Sequence, residues 1–555
     1  MSKLFADKNR IVNRPISNSI SKERVYLISG ILILIIIGIK WSLGLNRHMD
    51  ILFGDEAEYI RNGVDLFHTI RNDWGPAYNI WYKFLSLFSS DAIRLYYANY
   101  IIGGILVSVL LFIALYSHRI HPGIALYISF CFFVSSININ TWPRISHFVL
   151  ILILLSLIIL SRLHSNAKKS IVFAIFCYIC SYARPELFIS FVIILIISCY
   201  FIYQERKNFK YLLPYLITLT ILLLFFQITF GFPSSTYKSG LNRLYSAFCQ
   251  HYTINYKFRT GAHFDAITEW IEFCKTKFPD CFTILDVMKK HPVAFFHHVL
   301  FNLKNYSLLL FLTVCSFIIP TGIFHSKKVL IATCIILLSC ILFVILKKES
   351  RCQFIQLIKK HQFKLIFLFI FGVPSIGMCA VIFPRAHYIL LHSIFIVFLL
   401  AILFQSILQN FTLCYWQFMA FCVLLLLISP RSRDYQYTQF GKDMDNLCEQ
   451  KLIRYFESKK ENKYVVFTNY LNITYILPKN YSEFSTEFEL RKGMDFGKIL
   501  SEKKINVILV SINILQNPVL TKDSTWNNLI SQPERYNFKK VNYSDICESY
   551  LLIKE

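Results

Sequence analysis

The sequence predicts an α-helical polytopic membrane protein with 12 or 13 transmembrane helices and a small soluble α/β domain at its C-terminal end. Three observations predict it. Apolar runs recur along residues 26–429 and are long enough to cross a bilayer, which takes about 20 residues of helix. The loops between them alternate between strongly basic and less basic. Beyond residue 429 the chain turns polar and its apolar runs become strand-like. With 55% hydrophobic and 16% charged residues over 555 positions, and a mean hydropathy of +0.49, most of this chain has lipid as its natural solvent.

Residues 1–25 form a basic tail with Lys3, Lys8, Arg10, Arg14, Lys22 and Arg24. Positive segments are retained in the cytoplasm, so the tail is expected inside. No small-residue cleavage site follows the first apolar run, which reads as a retained signal anchor. Spans are expected near 26–43, 95–117, 122–138, 145–161, 170–182, 187–203, 211–230, 305–324, 329–346, 365–383, 387–406 and 411–429. Alternation then puts Arg119, the group Arg162, Lys168 and Lys169, and the group Arg206, Lys207 and Lys210 inside. It puts the loop 44–94, the piece Asn138 to Arg144, the turn Ala183-Arg184-Pro185-Glu186 and the long segment 231–304 outside.

The alternation stumbles at Lys347 to Lys364, which carries six Lys or Arg yet is expected outside. Either a neighbouring run is not a full crossing, or this segment is an interfacial helix resting on Phe354, Leu357 and Ile358. The side of the last domain depends on the answer. That domain, 430–555, shows buried-strand patterns at Tyr464 to Phe467 and Asn506 to Val510, with helical stretches near Asp443 to Ser458 and Gly497 to Lys504. No Gly-rich loop precedes its helices, so no nucleotide site is assigned.

A net charge of +25, from 58 basic against 33 acidic residues, is explained by cytoplasmic loops and anionic headgroups rather than by nucleic acid. Most of the sixteen Cys lie in apolar runs as small hydrophobes, Cys177 and Cys180 included. Cys274 and Cys281, in the long outer segment, are a candidate disulfide in an oxidising compartment.

Three groups could carry chemistry. The first is Asp55, Glu56 and Glu58 with Tyr59, directly after the first span, where Asp55 and Tyr59 share a helix face and Glu56 points elsewhere. Such acids also complement a helix N-terminus, which is their plainest use. The second is Asp73-Trp74-Gly75-Pro76-Ala77-Tyr78, a forced turn that sets aromatic rings at a membrane entrance. Rings of this kind are ordinary interfacial anchors, and beside carboxylates they also suit sugar binding. The third is Arg184 with Glu186 and Arg385 with His387, in tight turns between apolar runs. An arginine at a membrane boundary must snorkel or pair, and its rigid fork matches phosphate oxygens. Arg144 is a weaker candidate of the same kind. His251, His263, Asp265, His297 and His298 leave a divalent cation open as a cofactor, although their spacing matches no zinc site.

These motifs, in this order, resemble the GT-C superfamily of integral-membrane glycosyltransferases, especially the branch with protein O-mannosyltransferases and the lipid A aminoarabinose transferase. The resemblance covers roughly residues 26–430 and rests on Asp55-Glu56, Gly75-Pro76-Ala77-Tyr78, Ala183-Arg184-Pro185-Glu186 and Pro384-Arg385-Ala386-His387-Tyr388. It departs from the superfamily where a frequent Pro-Pro is replaced by Gly75-Pro76. The resemblance implies transfer of a sugar from a polyprenyl-phosphate donor to a hydroxyl of a glycan, lipid or protein acceptor, on the exported face of a bacterial inner membrane. It implies that Asp55 lies near the reacting centre. The chemistry of a lipid-phosphate leaving group then assigns Asp55 as general base, Glu56 or Glu58 as orienting it or holding sugar hydroxyls, and Arg184 and Arg385 as stabilising the phosphate, with Tyr59, Asp73, Trp74, Tyr78, Glu186 and His387 as further substrate-binding candidates. The rival expectation is a transporter or flippase of a lipid-linked glycan or anionic solute, whose path the same acids and arginines would line.

Overall fold

The computed structural model describes residues 16–52, 54–68, 74–233, 242–262, 266, 269–320, 327–408, 411–435, 446–459, 464–468, 481–485, 495–517 and 519–555. Helix α1 (Ile16–Ser42) is followed by the short α2 (Asp55–Val64) and α3 (Pro76–Ser86), and then by α4 (Ala92–Ser117). Next come α5 (Pro122–Val134), α6 (Ser136–Ile139), α7 (Ile145–Leu160), α8 (Asn166–Ser181), α9 (Phe188–Gln204) and α10 (Leu213–Phe230). The long outer segment folds into α11 (Arg243–Thr260), α12 (Trp270–Lys277) and α13 (Ile284–Lys290). The bundle closes with α14 (Pro292–Ser316), α15 (Lys327–Leu346), α16 (Lys348–Val381), α17 (Ala386–Ile407) and α18 (Tyr415–Ile428).

Among the described residues, eight helices are long and apolar enough to cross a membrane, and three shorter ones are apolar as well, so the chain is an α-helical integral membrane protein. The inner helices bury more than the outer ones, as expected when lipid replaces water around a bundle. Two-thirds of the apolar window of α4 and of α17 is buried, against 11% for α15.

Contacts at helix ends sort the bundle into two faces. At one face, Glu23 pairs with Arg119, Tyr26 reaches the Leu413 carbonyl, and His121 N–H donates to Gln405. At the opposite face, Lys40 donates to the carbonyls of Leu426 and Ser429, closing the ends of α1 and α18. The basic stretch Lys347 to Lys364 is neither a loop nor a separate interfacial helix. It is the first half of the 34-residue α16, and Lys364 Nζ lies 2.7 Å from His118 Nδ1 beside Arg119. The stretch therefore ends on the Arg119 face, with the other basic loops. Val293 to Lys304, at the end of the long outer segment, forms the first half of α14.

The C-terminal unit contains α19 (Cys448–Glu457), α20 (Phe496–Glu502), α21 (Ile512–Leu515) and α22 (Ser524–Ser531). They accompany β1 (Tyr464–Thr468), β2 (Tyr481–Ser485), β3 (Val507–Val510), β4 (Phe538–Val541) and β5 (Tyr550–Lys554) in one sheet of order β2-β1-β3-β5-β4. Strands β1, β2 and β3 run parallel, and β5 is antiparallel to β3 and β4. Val507 and Leu509 face α19, while Ile508 and Val510 pack with Phe496 and Trp526 on the other side. Burial on both faces explains why this strand reads as an unbroken apolar run. Cys448 and Cys547 form a disulfide across 99 residues, which ties the start of α19 to the chain just before β5. Cys274 and Cys281, by contrast, are free thiols.

This unit docks on the face of the 44–94 loop. The Asp50 carboxylate accepts the backbone N–H groups of Glu449 (2.8 Å) and Gln450 (3.0 Å), so a residue of the first loop caps α19. Gln450 also donates to the Asn46 carbonyl and to Tyr97 Oη, and Arg454 pairs with Asp91 at 3.1 Å.

Candidate functional site

Helix α2 begins at Gly54, and its first residue, Asp55, is exposed. The next residue turns inward. Glu56 is 2% exposed and receives four donors: the hydroxyls of Tyr78 and Tyr82 from α3, Asn99 Nδ2 from α4 at 3.0 Å, and the backbone N–H of Arg144 at 2.9 Å. A buried carboxylate is tolerated when its lone pairs are this fully engaged. Burial still pushes the Glu56 carboxyl up from its ordinary range, against the tyrosine hydrogen bonds that pull it down. Glu56 thus joins α2, α3, α4 and the turn before α7, which makes it the anchor of the site. Glu58 is buried too.

The second motif is positioned by Gly75. Its φ of +53° lies in the left-handed region that glycine favours. A methyl there would stand 2.8 Å from Tyr59 Cε1 and 3.4 Å from the Ala183 carbonyl oxygen. The close approach lets Ala77 N–H donate to the Tyr182 carbonyl at 3.2 Å, stitching the second motif to the turn that carries Arg184. Trp74 and Tyr78 lie against Tyr59 at ring distances of 5.9 and 5.0 Å. Asp73 lies outside the described residues.

Arg184, 9% exposed, is held by Glu186 at 2.6 Å and sits over the Tyr388 ring, 4.6 Å from its centroid. Burial works against its charge, but Glu186 and the neighbouring tyrosines more than compensate, so its pKa is raised and the guanidinium stays charged. Arg385 donates to His251 Nε2 at 2.6 Å, and His251 stacks on Phe383. Burial first, and then Arg385, hold the His251 imidazole well below its usual range, which suits an acceptor role. His387 is buried and hydrogen-bonds the Trp142 carbonyl at 3.0 Å, two residues before Arg144.

The structure brings Asp55, Tyr59, Trp74, Arg184, Glu186, Arg385 and Tyr388 to one face of the bundle, with Glu56 and Tyr78 beneath them. Tyr59 lies in the electrostatic field of Arg243, Asp55 and Arg184, and Tyr388 in that of Arg184, Glu186, Arg385 and Arg243. Arg243, the first residue of α11, is the member that sequence reasoning missed. Its guanidinium lies 4.0 Å from the Trp74 ring centroid. It lies inside the long segment 231–304, away from the ends of the long apolar runs, so nothing local marked it. Asn99 was equally silent, because an amide near a span end is ordinary there, whereas Tyr82 is one of the rings that the Gly75-Pro76 turn sets at the entrance to the second span.

Arg144, the weaker candidate, is almost wholly buried. Its guanidinium stacks on Tyr100 and bonds the Asn138 carbonyl and His147, so it supports the Glu56 floor rather than facing the open side. Among the described residues no three His, Cys, Asp or Glu gather as a metal site. His298 is instead bonded to Asn255 and to the Val381 and Ile382 carbonyls, His297 is exposed, and His263 and Asp265 lie outside the described residues. No protein-family model, curated protein or solved structure matches the chain.

Proposed function

We propose that this protein is a membrane glycosyltransferase that moves a sugar from a polyprenyl-phosphate donor to an acceptor hydroxyl at the face carrying Asp55. The observation that carries the reading is the convergence of one exposed carboxylate, Asp55, with three arginines, Arg184, Arg243 and Arg385, around Tyr59 and Tyr388. A sugar on a lipid phosphate already has its leaving group. The protein has to take a proton from the acceptor and stabilise charge on the departing phosphate. Asp55 serves as the base, and the guanidinium groups receive the phosphate oxygens. Trp74 and Tyr59 are buried beneath the cluster, with Arg243 over the Trp74 ring, and hold the arginines in place. Glu56, which accepts four hydrogen bonds, holds the floor on which Asp55 and Tyr59 stand.

Sidedness supports the same reading. A disulfide in the C-terminal unit belongs to an oxidising compartment. That unit docks on the Asp55 face through Asp50, and the basic loops gather at the other. We read the Asp55 face as exported. With the C-terminal unit and the first loop on one side, the number of crossings between them is even.

The test is mass spectrometry of envelope glycans and lipids from a deletion strain, complemented by wild type or by Asp55→Asn. A sugar increment lost in the deletion and in Asp55→Asn, at normal protein abundance, supports transfer. Restoration by Asp55→Asn removes the assignment of the base, and accumulation of an intact lipid-linked precursor points to translocation instead.

A further inference from the structure

The face opposite Asp55 holds a second cluster that the proposed reaction does not use. Helix α16 presents His361 and Lys364, three residues apart, toward His118 at the end of α4 and Lys169 in the first turn of α8. Lys364 Nζ is 2.7 Å from His118 Nδ1, the His118 and His361 rings are 6.3 Å apart, and Lys169 Nζ lies 5.7 Å from the Phe363 ring centroid. Lys360, exposed on the same helix, adds its charge to His361 and Lys364. The acid facing this group is Glu205, near Lys169, and it is already engaged by Ser165 Oγ and the Ala167 N–H.

His361 is 3% exposed, and neither ring nitrogen has a hydrogen-bond partner. Buried polar atoms are rarely left so, and an orphan pair among cations calls for a missing acceptor. A hydrophobic reading of His361 leaves this unexplained, because an apolar side chain would fill the same space without desolvating two nitrogens. Lys169 and Lys364 are half-buried, so the cluster reaches the protein surface.

We propose that His118, Lys169, His361 and Lys364 form an anion site that takes a phosphate group. Donors arrive from three helices in different directions, which suits a tetrahedral anion with several acceptor oxygens better than a planar carboxylate. The site lies where the apolar run of α4 ends and α8 begins, at the depth of lipid headgroups. The phosphate therefore comes either from a headgroup or from solution.

Thermal unfolding of the purified full-length protein in a non-ionic detergent tests this. Inorganic phosphate is compared with chloride at equal ionic strength, and phosphatidylglycerol with phosphatidylcholine. A rise in Tm with inorganic phosphate alone identifies a soluble anion, and a rise only with phosphatidylglycerol identifies a headgroup. Lys364→Gln and His361→Gln are expected to raise the half-saturating concentration by about tenfold or more, the loss of one charge-assisted hydrogen bond. Lys364→Arg and the distant control Lys289→Gln are expected to keep it. No Tm rise in the wild type with either additive overturns the site, whatever the variants do. An undiminished response in both Gln variants overturns it as well.

Discussion

Asp50 caps a helix that begins almost four hundred residues later: its carboxylate oxygens receive the N–H groups of Glu449 and Gln450, and its side chain is fully buried. Glu449 is buried beside it, with Tyr97 at the same junction and the Arg454–Asp91 pair further along α19. Burial, reinforced by the neighbouring Glu449 carboxyl, pushes the Asp50 pKa up to about 9. The docked state thus favours a protonated Asp50 beside the Glu449 carboxyl, at the junction of the membrane region with the C-terminal unit.

The sign of the pH effect follows. A carboxyl whose folded pKa lies above its unfolded value stabilises docking fully below the unfolded value, near 4, and that contribution is lost as pH rises through about 9. Limited proteolysis between residues 430 and 448 is expected to accelerate from pH 7 to pH 10. Asp50→Asn, which mimics the protonated form, is expected to flatten that dependence. An unchanged pH profile in Asp50→Asn would remove Asp50 as its source.

Asp55 and Glu56 are adjacent in sequence yet differ in environment, so their substitutions should separate. Glu56→Gln puts an amide against the Arg144 N–H and costs about 1–3 kcal/mol, read as a lower Tm. Glu56→Ala should cost more, because four buried donors lose their acceptor. Asp55→Asn, at an exposed position, is expected to leave Tm unchanged while transfer is lost. Equal Tm losses at 55 and 56 would contradict the split.

Gly75→Ala tests the close approach that joins the motifs. A left-handed non-glycine residue, together with a Cβ 2.8 Å from Tyr59, should cost about 1–3 kcal/mol. Thermal unfolding reads the loss, and a neutral result would mean that α3 shifts without consequence.

Arg243→Gln is expected to weaken donor use by about tenfold or more, seen mainly in KM, because the fork that stacks on Trp74 is removed. Arg243→Lys should rescue it only in part, since an ammonium keeps the charge but not the bidentate geometry. Steady-state assays in membranes with a polyprenyl-phosphate sugar decide, and full activity in Arg243→Gln would exclude it from the phosphate site.

Much of the fold was legible because lipid imposes a strong pattern. Each of the twelve apolar runs overlaps a helix among the described residues, although the run at 122–138 is divided between α5 and α6, the run from 305 belongs to a helix that spans Pro292–Ser316, and that from 365 extends back to Lys348. The strands at 464 and 506 were visible as short apolar runs for the same reason. The site was legible in part. Asp55, Arg184 and Arg385 stood out because charge at a membrane boundary demands a reason, and Tyr59 because it shares a helix face with Asp55. Arg243, Asn99 and Asp50 did not, because each gains its meaning from a partner far along the chain.

What the sequence by itself determined is which segments are apolar enough for the bilayer, which loops are basic, and where glycine and proline force turns, since these depend on local composition. Only the tertiary structure decided that Glu56 is sealed while Asp55 is open, that Cys448 pairs with Cys547, and that the basic half of α16 lies with Arg119. The reason is that burial and charge pairing are set by what packs against a residue. In a bundle this large those neighbours come from helices hundreds of positions away.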